Sequence, residues 1–62
     1  MIVRLLRNYE DGVISIRDLE QRQIAVVPAN HVLAARMKNR ASIYVEAEWS
    51  GGVLEIGEES KR

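Results

Sequence analysis

The chain contains no cysteine, a single proline, a single histidine and only three aromatic residues. Each shortage excludes something. Without cysteine there is no disulfide and no thiolate metal site. A lone histidine, His31, cannot supply a zinc cluster. No segment approaches the ~18 consecutive apolar residues of a membrane span. The opening run Met1-Ile-Val-Arg-Leu-Leu-Arg7 carries charge inside its short apolar stretch, unlike a signal peptide. The absence of cysteine suits a reducing compartment, so a cytoplasmic protein without membrane attachment is expected. The four glycines, Gly12, Gly51, Gly52 and Gly57, fit turns or strand ends and form no phosphate-binding loop. No cofactor and no metal is expected.

What is present fits one small domain. A chain of 62 residues buries only about 60% of the surface it exposes when unfolded. Such domains usually need a disulfide, a metal or a partner subunit. The first two are excluded, which leaves self-association and points to a homodimer. The apolar fraction of 47% suffices for a folded core. Formal net charge is zero but unevenly spread. Residues 1–40 carry seven basic against four acidic side chains, and residues 41–62 carry five glutamates against two basic residues, so the halves are +3 and −3. The expectation is that the halves meet in the fold and neutralise each other, since a neutral chain has no overall pull toward polyanions.

The clearest pattern lies in Ala41–Trp49. Ile43, Val45, Ala47 and Trp49 alternate with Ser42, Tyr44, Glu46 and Glu48. A period of two marks a strand with one face on a core. Ser50-Gly-Gly52 then supplies residues that tolerate positive φ, and Val53–Ile56 returns as the second arm of a C-terminal β-hairpin. At the other end, Ile2–Asn8 reads as a strand with Val3 and Leu5 on one face and Ile2 and Leu6 on the other. Tyr9-Glu-Asp-Gly12 is a turn, and Val13–Arg17 is the second strand. Asp18–Val27 admits two readings. One is a hairpin loop near Leu19–Arg22 followed by a strand Gln23–Val27, as the β-branched residues favour. The other is a helix over Asp18–Val27. Pro28 closes the segment. A helix of about ten residues is expected next, with Asn30 as its N-cap, Val32, Leu33, Arg36 and Met37 on one face, and Asn39 in the left-handed position at its end.

The fold class is therefore α+β: a small, mostly-β domain of order β-β-β-α-β-β, as a compact five-stranded barrel or sheet with one short helix and a C-terminal hairpin. The domain is expected to span residues 1–57, with 58–62 as a polar tail. The order matches the oligonucleotide-binding barrel in topology only, and topology does not carry function.

Candidate chemistry is sparse. His31 lacks the partners a general base requires and reads as a solvated or capping side chain. Glu46 and Glu48 share the polar strand face, with Glu55 opposite one of them. These like charges call for a basic neighbour, for which Arg4 and Arg7 are the candidates. Arg36, Lys38 and Arg40, with Arg17 and Arg22, are candidates for phosphate contact, or else complete the helix end and pair with the acidic hairpin. Trp49, on the apolar face, is expected in the core or as an interface anchor, and Tyr44 as an exposed contact for a partner. The partner-binding candidates are thus Tyr44, Trp49, Arg36, Lys38 and Arg40. The function expected is that of a small non-enzymatic interaction or regulatory module, acting on itself as a homodimer or on another protein. The alternative is a nucleic-acid-binding module that uses a basic surface from residues 1–40. Strands two and three offer no aromatic platform for base stacking.

Overall fold

The computed structural model describes residues 1–60. The elements follow the expected order: β1 (Ile2–Asn8), β2 (Val13–Arg17), β3 (Gln23–Pro28), α1 (Leu33–Met37), β4 (Ser42–Ser50) and β5 (Val53–Glu59). The strands form one sheet in the order β3-β2-β1-β4-β5. Every neighbouring pair is antiparallel, and the sheet curls into a half-barrel. β1 is therefore central, while β3 and β5 are the edges.

Local chemistry sets the three hairpins. In the first, the Gly12 amide donates to the Asn8 carbonyl at 3.0 Å, and Asn8 Nδ2 donates to Asp11 Oδ2 at 2.8 Å. This fixes the register Asn8↔Val13. In the second, Asp18 Oδ1 accepts from the amides of Glu20 and Arg22, each at 2.9 Å. A short acidic side chain that competes for nearby amides favours a turn over a helix, so Asp18–Val27 is a hairpin arm. In the third, Gly51 and Gly52 take φ of 58° and 82° between Ser50 and Val53, which pair directly. Two successive positive φ values define a type I′ turn, whose twist matches that of the strands.

The core occupies one face of the sheet. Val3 and Leu5 of β1, Ile14 and Ile16 of β2, and Ile43, Val45 and Ala47 of β4 join Leu33 and Met37 of α1. The two helical residues lie four apart, so they share a helix face. Among the described residues the one helix packs on this core and no element covers the opposite sheet face. It carries Arg4 and Leu6 of β1, Ser15 and Arg17 of β2, and Ser42 and Tyr44 of β4, as their direct pairings require. Ser15 is nonetheless only 3% exposed, so the side chains of this face shield one another.

Five expectations are corrected. The helix is half the expected length. Residues 28–31 form a turn instead, in which the Ala29 amide donates to the Gly12 carbonyl and the His31 amide to the Pro28 carbonyl. Val32, with no side-chain bond, takes the N-cap position expected for Asn30. At the other end Lys38, not Asn39, is the residue with positive φ, and at φ 57° and ψ −127° it lies outside the left-handed helical region expected there. Of the two readings of Trp49, the core one is overturned: the ring is 55% exposed, although it points to the same side as Ile43, Val45 and Ala47. The β1 ladder accompanies β4 only as far as Ala47, whose amide donates to the Met1 carbonyl. Beyond it only β5 remains beside Trp49, and no third strand closes over the ring. Finally, the expected tail is in part strand, because β5 runs through Glu59. A β-bulge at Val45/Ala47 accommodates it. There a Cβ on Gly57 would stand 3.3 Å from the Glu46 carbonyl oxygen, so the close backbone approach favours glycine. Lys61 and Arg62 of that tail lie outside the described residues.

Candidate functional site

The basic residues near the helix end are engaged. Arg40 forms a bidentate pair with Glu59, Nη1 to Oε2 and Nη2 to Oε1, each at 2.7 Å. Its hydrogen bonds hold the Glu59 carboxyl below the ordinary glutamate range. Partial desolvation opposes the shift, while the charges of Arg40, Lys38 and Arg36 add to it. The same hydrogen bonds raise Arg40. Arg36 donates to the carbonyls of Ile56 and Gly57. Arg7 Nη2 donates to the Lys38 carbonyl at 2.9 Å and so satisfies the chain leaving the helix. Arg36 and Arg40 therefore tie α1 and the turn after it to β5.

His31 also has a local task. Its Nδ1 accepts from the Leu33 amide at 3.2 Å, so it serves an unpaired amide at the helix start. Among the described residues no group of three or more His, Cys, Asp or Glu side chains could hold a metal ion.

On β4 and β5 the carboxylates lack the basic neighbours expected for them. Glu48 directly opposes Glu55, and all of Glu46, Glu48 and Glu55 are exposed. They line an open cleft of about 290 Å³ with Met1, Ala47, Ile56 and Gly57. Arg7 bonds to the Lys38 carbonyl instead. Arg4 donates from Nη1 to Gln21 Oε1 at 3.0 Å and from Nη2 to Ser42 Oγ at 3.4 Å. Both arginines are too committed elsewhere to reach the hairpin.

A different cluster, not singled out in the sequence, emerges on the uncovered sheet face. Arg4 directly opposes Arg17 across β1 and β2 and Tyr44 across β1 and β4. The three side chains thus form a row, Arg17–Arg4–Tyr44, across three adjacent strands. Direct opposition brings Cβ atoms to about 4.5–5.5 Å, where like charges destabilise. Among the described residues neither arginine has a carboxylate partner; the two ion pairs there are Arg22–Glu20 and Arg40–Glu59. One residue restrains both guanidinium groups: Gln21 accepts Arg4 on Oε1 and Arg17 on its carbonyl oxygen at 2.7 Å. Gln21 takes φ 69° within the hairpin turn, where its amide donates to the Asp18 carbonyl. The Nε atoms of Arg4 and Arg17 are buried without a hydrogen-bond partner, as is that of Arg7. Register arithmetic was the available signal: a turn pairing residues 8 and 13 also pairs 4 with 17.

The two halves of the chain therefore meet and neutralise each other only at the helix end, where the charges of Arg40, Lys38 and Arg36 act on Glu59. A single ion pair among the described residues, Arg40–Glu59, joins them. Arg4, Arg7 and Arg17 lie on β1 and β2, Arg36 and Arg40 bond to β5, and Glu46, Glu48 and Glu55 have no ion-pair partner among the described residues.

The sheet edges differ as well. β3, Gln-Ile-Ala-Val-Val-Pro28, contains no charged residue, and its Val26 is 48% exposed. β5 carries Glu55, Glu58 and Glu59, all exposed. Of the other partner candidates, Tyr44 is half-buried in the row described above, and Trp49 overhangs the core beside its cross-strand partner Leu54. No helix of the described residues is long and apolar enough to cross a membrane. No protein-family model matches the chain, and neither a curated protein nor a solved structure does.

Proposed function

We propose that this chain is a non-enzymatic cytoplasmic interaction module that works as a homodimer, two copies joining along their β3 edges. The observation that carries the reading is the open, uncharged β3 edge. An edge strand presents a row of unpaired N–H and C=O groups, and monomeric proteins normally blunt it with charge, proline or a covering element. β5 follows that rule through its glutamates. β3 has only Pro28, at its very end, and leaves Ile24–Val27 free to template a further strand. Glutamates would repel one another in a β5–β5 contact, whereas β3 meets no such penalty. Antiparallel pairing of β3 with its copy is a closed two-fold contact, the commonest symmetry of small assemblies. It would join two five-stranded sheets into one continuous sheet and supply the burial a domain this small lacks.

Sedimentation equilibrium at micromolar concentration tests the reading. The wild type should give about twice the 7.1 kDa chain mass. Val26→Lys places a charge on an exposed edge position and should give a folded monomer. A wild type that stays monomeric at high concentration refutes self-association. A Val26→Lys variant that dimerises as well as the wild type refutes the β3 edge as its route.

A further inference from the structure

The paired arginines of the uncovered face remain unexplained by a contact along β3. We propose that Arg4 and Arg17, flanked by Tyr44, form a binding site for the phosphate of a nucleotide or of a single-stranded nucleic acid. The site stands whether or not two copies join along β3.

Three observations converge. The first is an uncompensated cost. Two arginines are placed in direct opposition on neighbouring strands, with no carboxylate on either among the described residues. Like charges so placed repel, and an anion between them converts that repulsion into attraction for both. A phosphate offers several acceptor oxygens, enough to take a donor from each guanidinium, and arginine's planar fork suits phosphate geometry. The second is unused hydrogen-bonding capacity. Arg17 donates through Nη1 alone, which leaves the rest of its fork for an anion; its Nε, like those of Arg4 and of Arg7 on the opposite face, is buried without a partner. The third is preorganisation. Gln21 restrains both groups from one position and is itself held by the hairpin turn, its amide donating to the Asp18 carbonyl.

Tyr44 defines the rest of the ligand. It is the next side chain in the row after Arg4 and is half-buried. One ring stands beside a two-arginine phosphate site, which fits a nucleobase stacked next to its own phosphate. Duplex DNA fits less well, because its bases are already stacked. The exposed glutamates of β4 and β5, Glu46, Glu48 and Glu55, repel a strand that continues toward the hairpin tip. A bound strand therefore runs from the row toward β2 and β3, where Ser15, Gln23 and Val26 lie. The basic residues of the helix end are not part of the site, since Arg36 and Arg40 are already bonded to β5.

The test is a backbone and side-chain NMR titration of the full chain at low salt with three probes: inorganic phosphate, adenosine monophosphate and a six-nucleotide single-stranded RNA. Signals of Arg4, Arg17 and Gln21 should move with all three, and the Tyr44 ring signals only with the two that carry a base. Tighter binding of the hexamer than of the mononucleotide identifies a strand as the natural source, and equal binding identifies a free nucleotide. Arg17→Gln should weaken binding about tenfold or more, the scale of one charge-assisted donor. The same variant should melt at or above the wild-type temperature in phosphate-free buffer, because it removes a repulsion. Arg36→Gln should leave binding unchanged. The proposal is overturned if none of the probes moves Arg4 and Arg17, if the shifts centre on Arg36 and Lys38, or if Arg17→Gln binds as the wild type does. An Arg17→Gln variant that melts well below the wild type shows that the arginine is structural and likewise overturns it.

Discussion

Met37 gives the sharpest test of how this small fold holds together. α1 has five residues and no side-chain cap, and isolated helices of that length are unstable in water. Its stability must come from packing, which Leu33 and the fully buried Met37 provide. Met37→Ala removes three heavy atoms, each worth about 0.8 kcal/mol of burial, or about 2.4 kcal/mol in all. The unfilled cavity brings the cost into the usual range of about 2–5 kcal/mol. A chain of 62 residues has a total stability of about 3–9 kcal/mol at ordinary per-residue values. The substitution therefore removes a large share of it. Thermal melts by far-ultraviolet circular dichroism should fall by about 10 °C or more, at the 4–8 °C per kcal/mol of a domain this size. Met37→Leu keeps the volume and should cost less than about 1.5 kcal/mol. If Met37→Ala melts within ~4 °C of the wild type, the equivalent of about 1 kcal/mol, the helix is not anchored as described.

Two further outcomes follow from the same packing. Trp49→Ala should cost only about 1 kcal/mol, the upper end for a cross-strand pair, because the half-exposed ring has Leu54 as its direct cross-strand partner; a loss above about 3 kcal/mol in urea titrations would place it in a closed core after all. The Glu59 carboxyl is held below its unfolded value, so its contribution is present above about pH 4.3 and disappears as pH falls through the lowered folded value. Melting temperatures measured from neutral pH down to pH 3 should therefore drop less in Glu59→Gln than in the wild type, and identical acid profiles would show that the pair adds nothing.

Much of this architecture is legible in local sequence. Alternation in Ile43–Ala47 sets the faces of β4, Gly51-Gly52 sets its turn, and Asp11-Gly12 sets the first hairpin. Local signals fail where a tertiary contact decides. The helix stops short of its propensity because the turn at residues 28–31 is tied to Gly12 from another hairpin. Trp49 keeps its face but not its burial, because burial depends on how far β1 accompanies β4. β5 outruns Ile56 because an extra residue in β5, between Ile56 and Glu59, lets Glu59 pair with Val45 beyond the irregularity. The candidate site shows the same division. Charge spacing along the chain points to Arg36, Lys38 and Arg40, a dense local run. The row Arg17–Arg4–Tyr44 assembles residues from three strands and is visible only through their registers.

The arrangement of charge carries the last step. A neutral chain could place each cation beside an anion, and Arg40–Glu59 shows that this fold does so where a helix must be tied to a strand. On the sheet it does the opposite twice, opposing Arg4 with Arg17 and Glu48 with Glu55. The two cases are not equivalent. Glu48 and Glu55 are exposed near the hairpin tip, where water screens them and where charge protects an outer strand from unwanted pairing. Arg4 and Arg17 are half-buried near the middle of the sheet, with orphaned Nε donors beneath them, so screening there is weaker. A domain with only a few kcal/mol of stability retains few local conflicts, and those it retains gather at functional positions. The glutamate pair is explained by negative charge on an edge. The arginine pair protects no edge, and the anion proposed to bind between its members is what would offset its repulsion.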